Sequence, residues 1–455
     1  MALGQRRSER QQEMWVATAK LPASIGHVFY DALNRVLRDG KFDRFAETLC
    51  EPYYKEGGRP GIPPGIYFRM IFVGYFEGID SQRGIAWRCR DSLSLRAFLG
   101  YELHENIPEH SSLTRIRQRL PLDVFEQVFA FVLSLVERHG LLKGKTVGVD
   151  STLLEANAAM KSIVRRDTGE DWESYVRGLA EAEGVEVNSD DDLRKFDRKR
   201  KGKKASNQDW QSSSDPDARI MKMKKGHTHL SYKQEHTVDL ETEAVLFAEI
   251  YHGNESDANT LLDSVGTAQG NLQQADSDAE IKEVVGDKGY HKNQTLAKCK
   301  KDELRTYICE PDGPNRRWTD KPVDYEVAYR ANRRRLKGDR NKRLQKLRSE
   351  RVERSFAHVC ETGGARRTWL RGLENNRKKV RLVVAAHNLG LVLRNLLGSG
   401  KPREFAGLRG LLFSTFSIVQ IATRRGHRLI SSPALFHRLY CQRNCRPILS
   451  SICTT

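Results

Sequence analysis

The 455-residue chain lacks a glycine loop of the Walker type, so nothing in it points to ATP. No apolar run reads as long enough to cross a membrane, and no secretory leader is recognisable, which sets aside the membrane and exported classes. Its eight cysteines follow no regular spacing, so reduced thiols in a cytoplasmic protein are expected rather than a disulfide framework. Cys441 and Cys445, with His437 nearby, have no second ligand pair, which favours structural thiols over zinc. Acid is what runs short most plainly: 77 Lys and Arg stand against 59 Asp and Glu, a net charge of +18. A clustered surplus of that size selects an extended polyanion as partner.

A chain of this length is expected to hold two or three domains. Residues 1–130 read as an all-helical N-terminal domain for DNA binding or dimerisation. Pro63 and Pro64 open a helix through Ile66–Phe72, and a second begins near Ser81. A third, capped by Ser111 or Ser112, carries Arg115, Arg117 and Arg119. Short helices with an arginine-rich last member suit a helix-turn-helix module; a dimerisation domain with a solvated basic face fits as well.

From residue 144 the pattern becomes α/β, in a second domain expected over 144–398. Thr146–Asp150 reads as a short strand. Alternation at Leu230, Tyr232, Gln234, His236, Val238 and Leu240, followed by Ala244–Tyr251, reads as a hairpin. Further strands are expected at Ile281–Val285 and Arg305–Cys309, with helices near 258–267, 296–301, 327–361 and 380–398. That order predicts an RNase H-like core, a five-stranded mixed sheet flanked by helices. An insertion at about 160–222, rich in charge, is expected to be largely flexible, and the tail 400–455 has no clear role.

Three acids stand in distinctive settings. Asp150 ends an apolar run, Asp287 sits in Gly286-Asp287-Lys288-Gly289-Tyr290, and Glu353 lies in Val352-Glu353-Arg354-Ser355-Phe356. Each alone reads as readily as a turn former or a surface ion-pair partner. Together, carboxylates from distant points of a chain are what hard divalent cations require, with positions left open for phosphate oxygens. Arg348, Arg351 and Arg354 flank Glu353 in a helix with few acids, and Arg366, Arg367 and Arg371 follow. Such a helix repels itself unless an anion lies against it, so these arginines are expected at DNA. His227, His229 and His236 read as strand-edge residues near the DNA path rather than a metal site.

On these three motifs the chain resembles bacterial insertion-sequence transposases of the DDE class, related to the group with a Y-R-E-K signature. Residues 59–120 resemble that group's helical domain and Ala385–Leu389 its closing helix, so the likeness spans roughly residues 45–398. The resemblance implies two Mg²⁺ or Mn²⁺ ions held by Asp150, Asp287 and Glu353. It also implies terminal inverted repeats and target DNA as double-stranded partners, assembly as a dimer or more, and cleavage followed by strand transfer. Ser349 and Cys360 stand where many relatives carry an arginine and a lysine. A DNA-binding repressor of the same fold, or a nuclease that cuts without joining, are the alternatives.

Overall fold

The computed structural model describes residues 27–406, apart from residues 56, 58–60, 201–205, 224–225, 314–315 and 365. The expectations for the C-terminal tail, its Cys441 and Cys445 included, and for part of the basic run at 194–204 lie outside these. Seven helices come first: α1 (Val28–Asp39), α2 (Phe42–Cys50), α3 (Pro64–Glu77), α4 (Gln82–Asp91), α5 (Leu93–Leu99), α6 (His110–Arg119) and α7 (Leu122–Arg138). Pro64 starts α3 at its first position, and Gly78, with φ of 69°, ends it. Tyr67, Phe68, Met70, Phe72, Val73, Tyr75 and Phe76 are all buried, and so is Arg69, paired with Asp43 at 2.7 Å, so α3 forms the centre of this region.

The core begins with β1 (Thr146–Glu155), followed by the insertion elements β2 (Ile163–Arg165), α8 (Trp172–Ala182), α9 (Asp190–Lys199), β3 (Trp210–Ser212) and β4 (Arg219–Lys222). Then come β5 (Thr228–Asp239), β6 (Val245–His252), α10 (Asp257–Gln274), β7 (Glu283–Gly286), α11 (Asn293–Lys301) and β8 (Arg305–Ile308). Three helices close it: α12 (Val323–Leu336), α13 (Asp339–Thr362) and α14 (Leu373–Leu397). β5 lies antiparallel between β1 and β6, while β7 and β8 continue beyond β1 in parallel. All five expected strands are present, and the helices flanking this mixed sheet complete an RNase H-like core.

Four expectations need correction. The sheet has six strands, because β4 of the insertion pairs with the start of β5. Much of the insertion is ordered: β2 pairs with β3, and Val176, Ala180, Leu193 and Trp210 are buried among its helices. The Arg165 guanidinium lies 4.8 Å from the Tyr175 ring centroid and 5.6 Å from that of Trp210. Polar composition had hidden a few well-spaced apolar anchors. The long basic helix is two, since Gly338 has an extended ψ of 157° and becomes the N-cap of α13. Finally, α14 is long and apolar enough to cross a membrane by composition, yet 83% of its most apolar window is buried in the protein.

That burial has a structural purpose. α14 covers the outer edge of β6: the Asn388 side chain pairs with both backbone groups of Val245, at 3.0 and 2.8 Å, and Arg377 donates to the Ile250 carbonyl at 3.1 Å. On the side toward the helical region, His387 Nδ1 stands 3.2 Å from the Tyr75 hydroxyl of α3. One helix therefore seals the sheet and fastens the N-terminal helices to it.

Candidate active site

β1 and β7 run in register, with Gly148 opposite Val285. Asp150 and Asp287 each lie two residues further on, so two adjacent parallel strands deliver carboxylates to the same edge, about 5 Å apart in strand spacing. The Asp287 charge raises the cost of ionising Asp150. Burial holds the Asp150 carboxyl above its ordinary pKa, and the Arg348 guanidinium, 2.6 Å from Oδ2, pulls it back down. Asp287 Oδ1 accepts the Gly289 N–H at 2.8 Å, which fixes the turn Lys288–Tyr290.

α13 crosses this edge. Gln345 donates to the carbonyls of Gly286 and Tyr307, at 3.3 and 2.8 Å, and so clamps the ends of β7 and β8. Gly148 permits the crossing, because a Cβ there would meet Leu240 at 2.7 Å, Val352 at 3.0 Å and Arg348 at 3.2 Å. Arg351 leaves one flank of α13 to reach the Glu241 carbonyl. Glu353, two positions on, leaves the opposite flank and is exposed, with Oε1 accepting from Ser349 at 2.9 Å. Ser349 thus bonds the glutamate itself.

The three acids are not drawn into one cage. Among the described residues, no three His, Cys, Asp or Glu side chains are placed to hold a metal ion. The strand pair Asp150 and Asp287 fits a hard cation in donor type and placement, whereas Glu353 stands apart on its helix.

The arginines divide into two sets. Arg115 and Arg119 are exposed on α6, Arg119 stacking 4.8 Å from the Tyr54 ring centroid, but Arg117 is half-buried. Within α13 several guanidinia already have partners: Arg348 on Asp150, and Arg354 on Glu243 at 2.5 Å and on Glu350 at 2.7 Å. Arg340 adds Glu283 at 2.5 Å. Acids from the sheet and its turns, remote in sequence, therefore relieve much of the repulsion that had suggested an external anion. His236 also differs from expectation. It is fully buried, stacks on Phe356 at 4.1 Å and bonds Ser355 at 2.9 Å, far from being a strand-edge histidine.

A second group of residues went unnoticed in the sequence. Asp257, first residue of α10, accepts from Ser151 at 2.8 Å and from Lys233 at 3.1 Å. A Cβ at Gly289 would lie 2.7 Å from Asp257 Oδ2 and 3.1 Å from Asp287 Oδ1, so both carboxylates flank one point. Behind them, Glu235 is fully buried and accepts from Thr260 at 2.7 Å, Tyr290 at 2.9 Å and Lys233 at 3.4 Å, and from Ser264. Its only sequence signal was the alternation of Lys233 and Glu235 along β5.

Two families match the chain. Residues 19–119 match one described as "Transposase domain (DUF772)", and residues 276–393 match one described as "Transposase DDE domain". The second match spans both Asp287 and Glu353 and starts well after Asp150. The two matched domains make the chain a DDE-type DNA transposase. Enzymes of this family generally use divalent metal ions. Among curated proteins, none matches the transposase. A solved structure described as "Mos1 transposase paired-end complex with left transposon end" is similar at 10% identity, covering 68% of this chain and 81% of that one. The TM-score between the two is 0.18.

Proposed function

We propose that this transposase binds the terminal inverted repeats of a bacterial insertion sequence as a dimer or larger assembly, cuts the element's ends and joins them to target DNA. The observation that carries the reading is the pair Asp150 and Asp287 on in-register parallel strands beneath an arginine-rich helix. Asp150, Asp287 and Glu353 are the catalytic acids, and the ions are Mg²⁺ or Mn²⁺, two per site. A bound divalent cation lowers the pKa of an attacking water or 3′-hydroxyl and offsets charge on the leaving oxygen.

The chain's own groups prepare this site. Arg348 opposes the rise that burial gives the Asp150 pKa and so favours the ionised form a cation needs. Ser349 donates to the exposed Glu353 carboxylate, which would have to leave that bond to join Asp150 and Asp287 around a cation. Tyr290, wholly buried on Glu235, anchors the turn that presents Asp287. Arg115 and Arg119, exposed on α6, are free to meet DNA phosphates, while Arg117, Arg351 and Arg354 would have to change partners or surroundings to do so.

The test is a plasmid bearing this gene in its natural flanking DNA, incubated with purified protein with and without Mg²⁺. Metal-dependent nicks at the flanking repeats, absent from Asp150→Ala and Glu353→Ala, are expected, followed by joined products. Binding with no nick would leave a repressor, and nicks with no joined product a nuclease.

A further inference from the structure

Beyond the catalytic edge, the connection from α13 to α14 carries Arg366, Arg367, Trp369 and Arg371, all exposed. It is held firmly. The Glu155 N–H donates to the Arg366 carbonyl at 3.0 Å and the Thr368 N–H to the Glu155 carbonyl at 2.8 Å, so the segment pairs with the last residue of β1. Asn157 donates to the Trp369 carbonyl at 3.1 Å, and buried Thr368 bonds Asn376 at 2.5 Å. A segment ordered in advance loses little entropy when it binds.

Its outward side chains match a nucleic acid. Trp369 is 57% exposed, an unusual placement for an indole, and the Arg367 guanidinium sits 5.2 Å from its centroid. Arg366 and Arg371 make no ion pair among the described residues, unlike Arg340, Arg348 and Arg354 of α13. Behind the loop, Trp369 borders a cavity of about 320 Å³ into which Arg117 and Lys379 also open. The Arg117 Nε is buried there without a hydrogen-bond partner.

We propose that the segment Arg366–Arg371 is a DNA-contacting element, Arg366 and Arg371 gripping phosphates and Trp369 packing on a sugar or base of the same strand. The assignment rests on the transposase reading above. Glu155 is five residues along β1 from Asp150, about 16 Å at roughly 3.3 Å per residue. That length corresponds to about five base-pair steps of ~3.4 Å, so the contact falls some five steps from the cut.

Duplexes drawn from the DNA bordering the gene, one stopping short of that distance and one extending past it, provide the test with full-length protein and Mg²⁺. On the long duplex, the double variant Arg366→Gln/Arg371→Gln is expected to lower the slope of log affinity against log salt by about 2. Trp369→Ala is expected to weaken binding about tenfold with the slope unchanged. On the short duplex both variants should match the parent chain. Unaltered melting temperatures confirm that these exposed changes leave the fold intact. Wild-type affinity and slope on the long duplex, or equal losses on both, overturn the proposal. So does loss of self-assembly with DNA binding unchanged, which would give the surface to a second copy of the chain. If the parent chain nicks neither duplex, the proposed function itself fails; if it nicks and the loop variants bind as it does, the loop assignment alone fails.

Discussion

Arg348 and Asp150, 198 residues apart in the chain, meet at 2.6 Å where α13 crosses β1. The guanidinium offsets the penalty that burial places on the carboxylate. Removing it leaves a half-buried acid without that counter-charge, so its pKa rises and the cation-binding form becomes scarcer near neutrality. Arg348→Ala is therefore expected to cut metal-dependent nicking by about tenfold or more at neutral pH, with part of the loss recovered at higher pH. Arg348→Lys should lie between, since a lysine restores charge without the planar fork. A pH–rate profile for the three proteins checks this; equal losses at every pH would leave Arg348 a merely structural role.

Gly289 tests the spacing of the acids. Its φ lies outside the left-handed region, so the constraint there is space rather than backbone conformation. Gly289→Ala would push a methyl between Asp257 and Asp287, with little apolar packing to lose. Strong loss of nicking with a melting temperature within a few degrees of the parent is the expected result. Asp257→Asn should likewise lose activity, but with a larger drop in stability because Lys233 loses a charged partner.

How much of this could be read from the chain differs by residue. Asp287 and Glu353 announce themselves through local motifs, and the strand order follows from alternation and turn residues. Lys233, Glu235 and Asp257 do not. A period-two pattern such as Tyr232, Gln234, His236 suggests one buried and one wet face, but β5 is buried on both sides, between α10 and α13. Its polar face is satisfied by hydroxyls of α10, contacts between residues tens of positions apart that no local window reveals. The partners of the α13 arginines were hidden for the same reason: Glu243, Glu283 and Asp150 lie far off in sequence.

The buried pair Lys233 and Glu235 makes a separate prediction. Lys233→Met removes the cation and leaves Glu235 with hydroxyl donors alone; losing one member of a buried pair typically costs about 3–5 kcal/mol. Glu235→Gln keeps a hydrogen-bonding side chain, but leaves Lys233 with Asp257, so it should cost less. Urea unfolding of the single variants and of the double variant Lys233→Met/Glu235→Gln checks this. The double is expected to be less destabilised than the sum of the singles, and simple additivity would rule out the coupling.

Two buried histidines set the response to acid. Burial pushes the pKa values of His236 and His387 down to about 3, from 6.5 for an unhindered imidazole. Between those values the unfolded chain binds protons that the folded chain refuses, so stability rises with pH. As pH falls below about 6.5, each imidazole weakens the fold by up to about 1.4 kcal/mol per unit. Asp150 and Glu235, whose pKa values burial holds up, act in the opposite sense above their ordinary values. The comparison that isolates the imidazole is therefore one of slopes: stability against pH between about 5 and 6.5 for the parent and for His387→Gln. His387→Gln also disturbs the Tyr75 contact and lowers stability at every pH, but its slope should be shallower by about one proton. Parallel slopes would mean that His387 is protonated in the fold, and that α14 meets α3 through a charged imidazole.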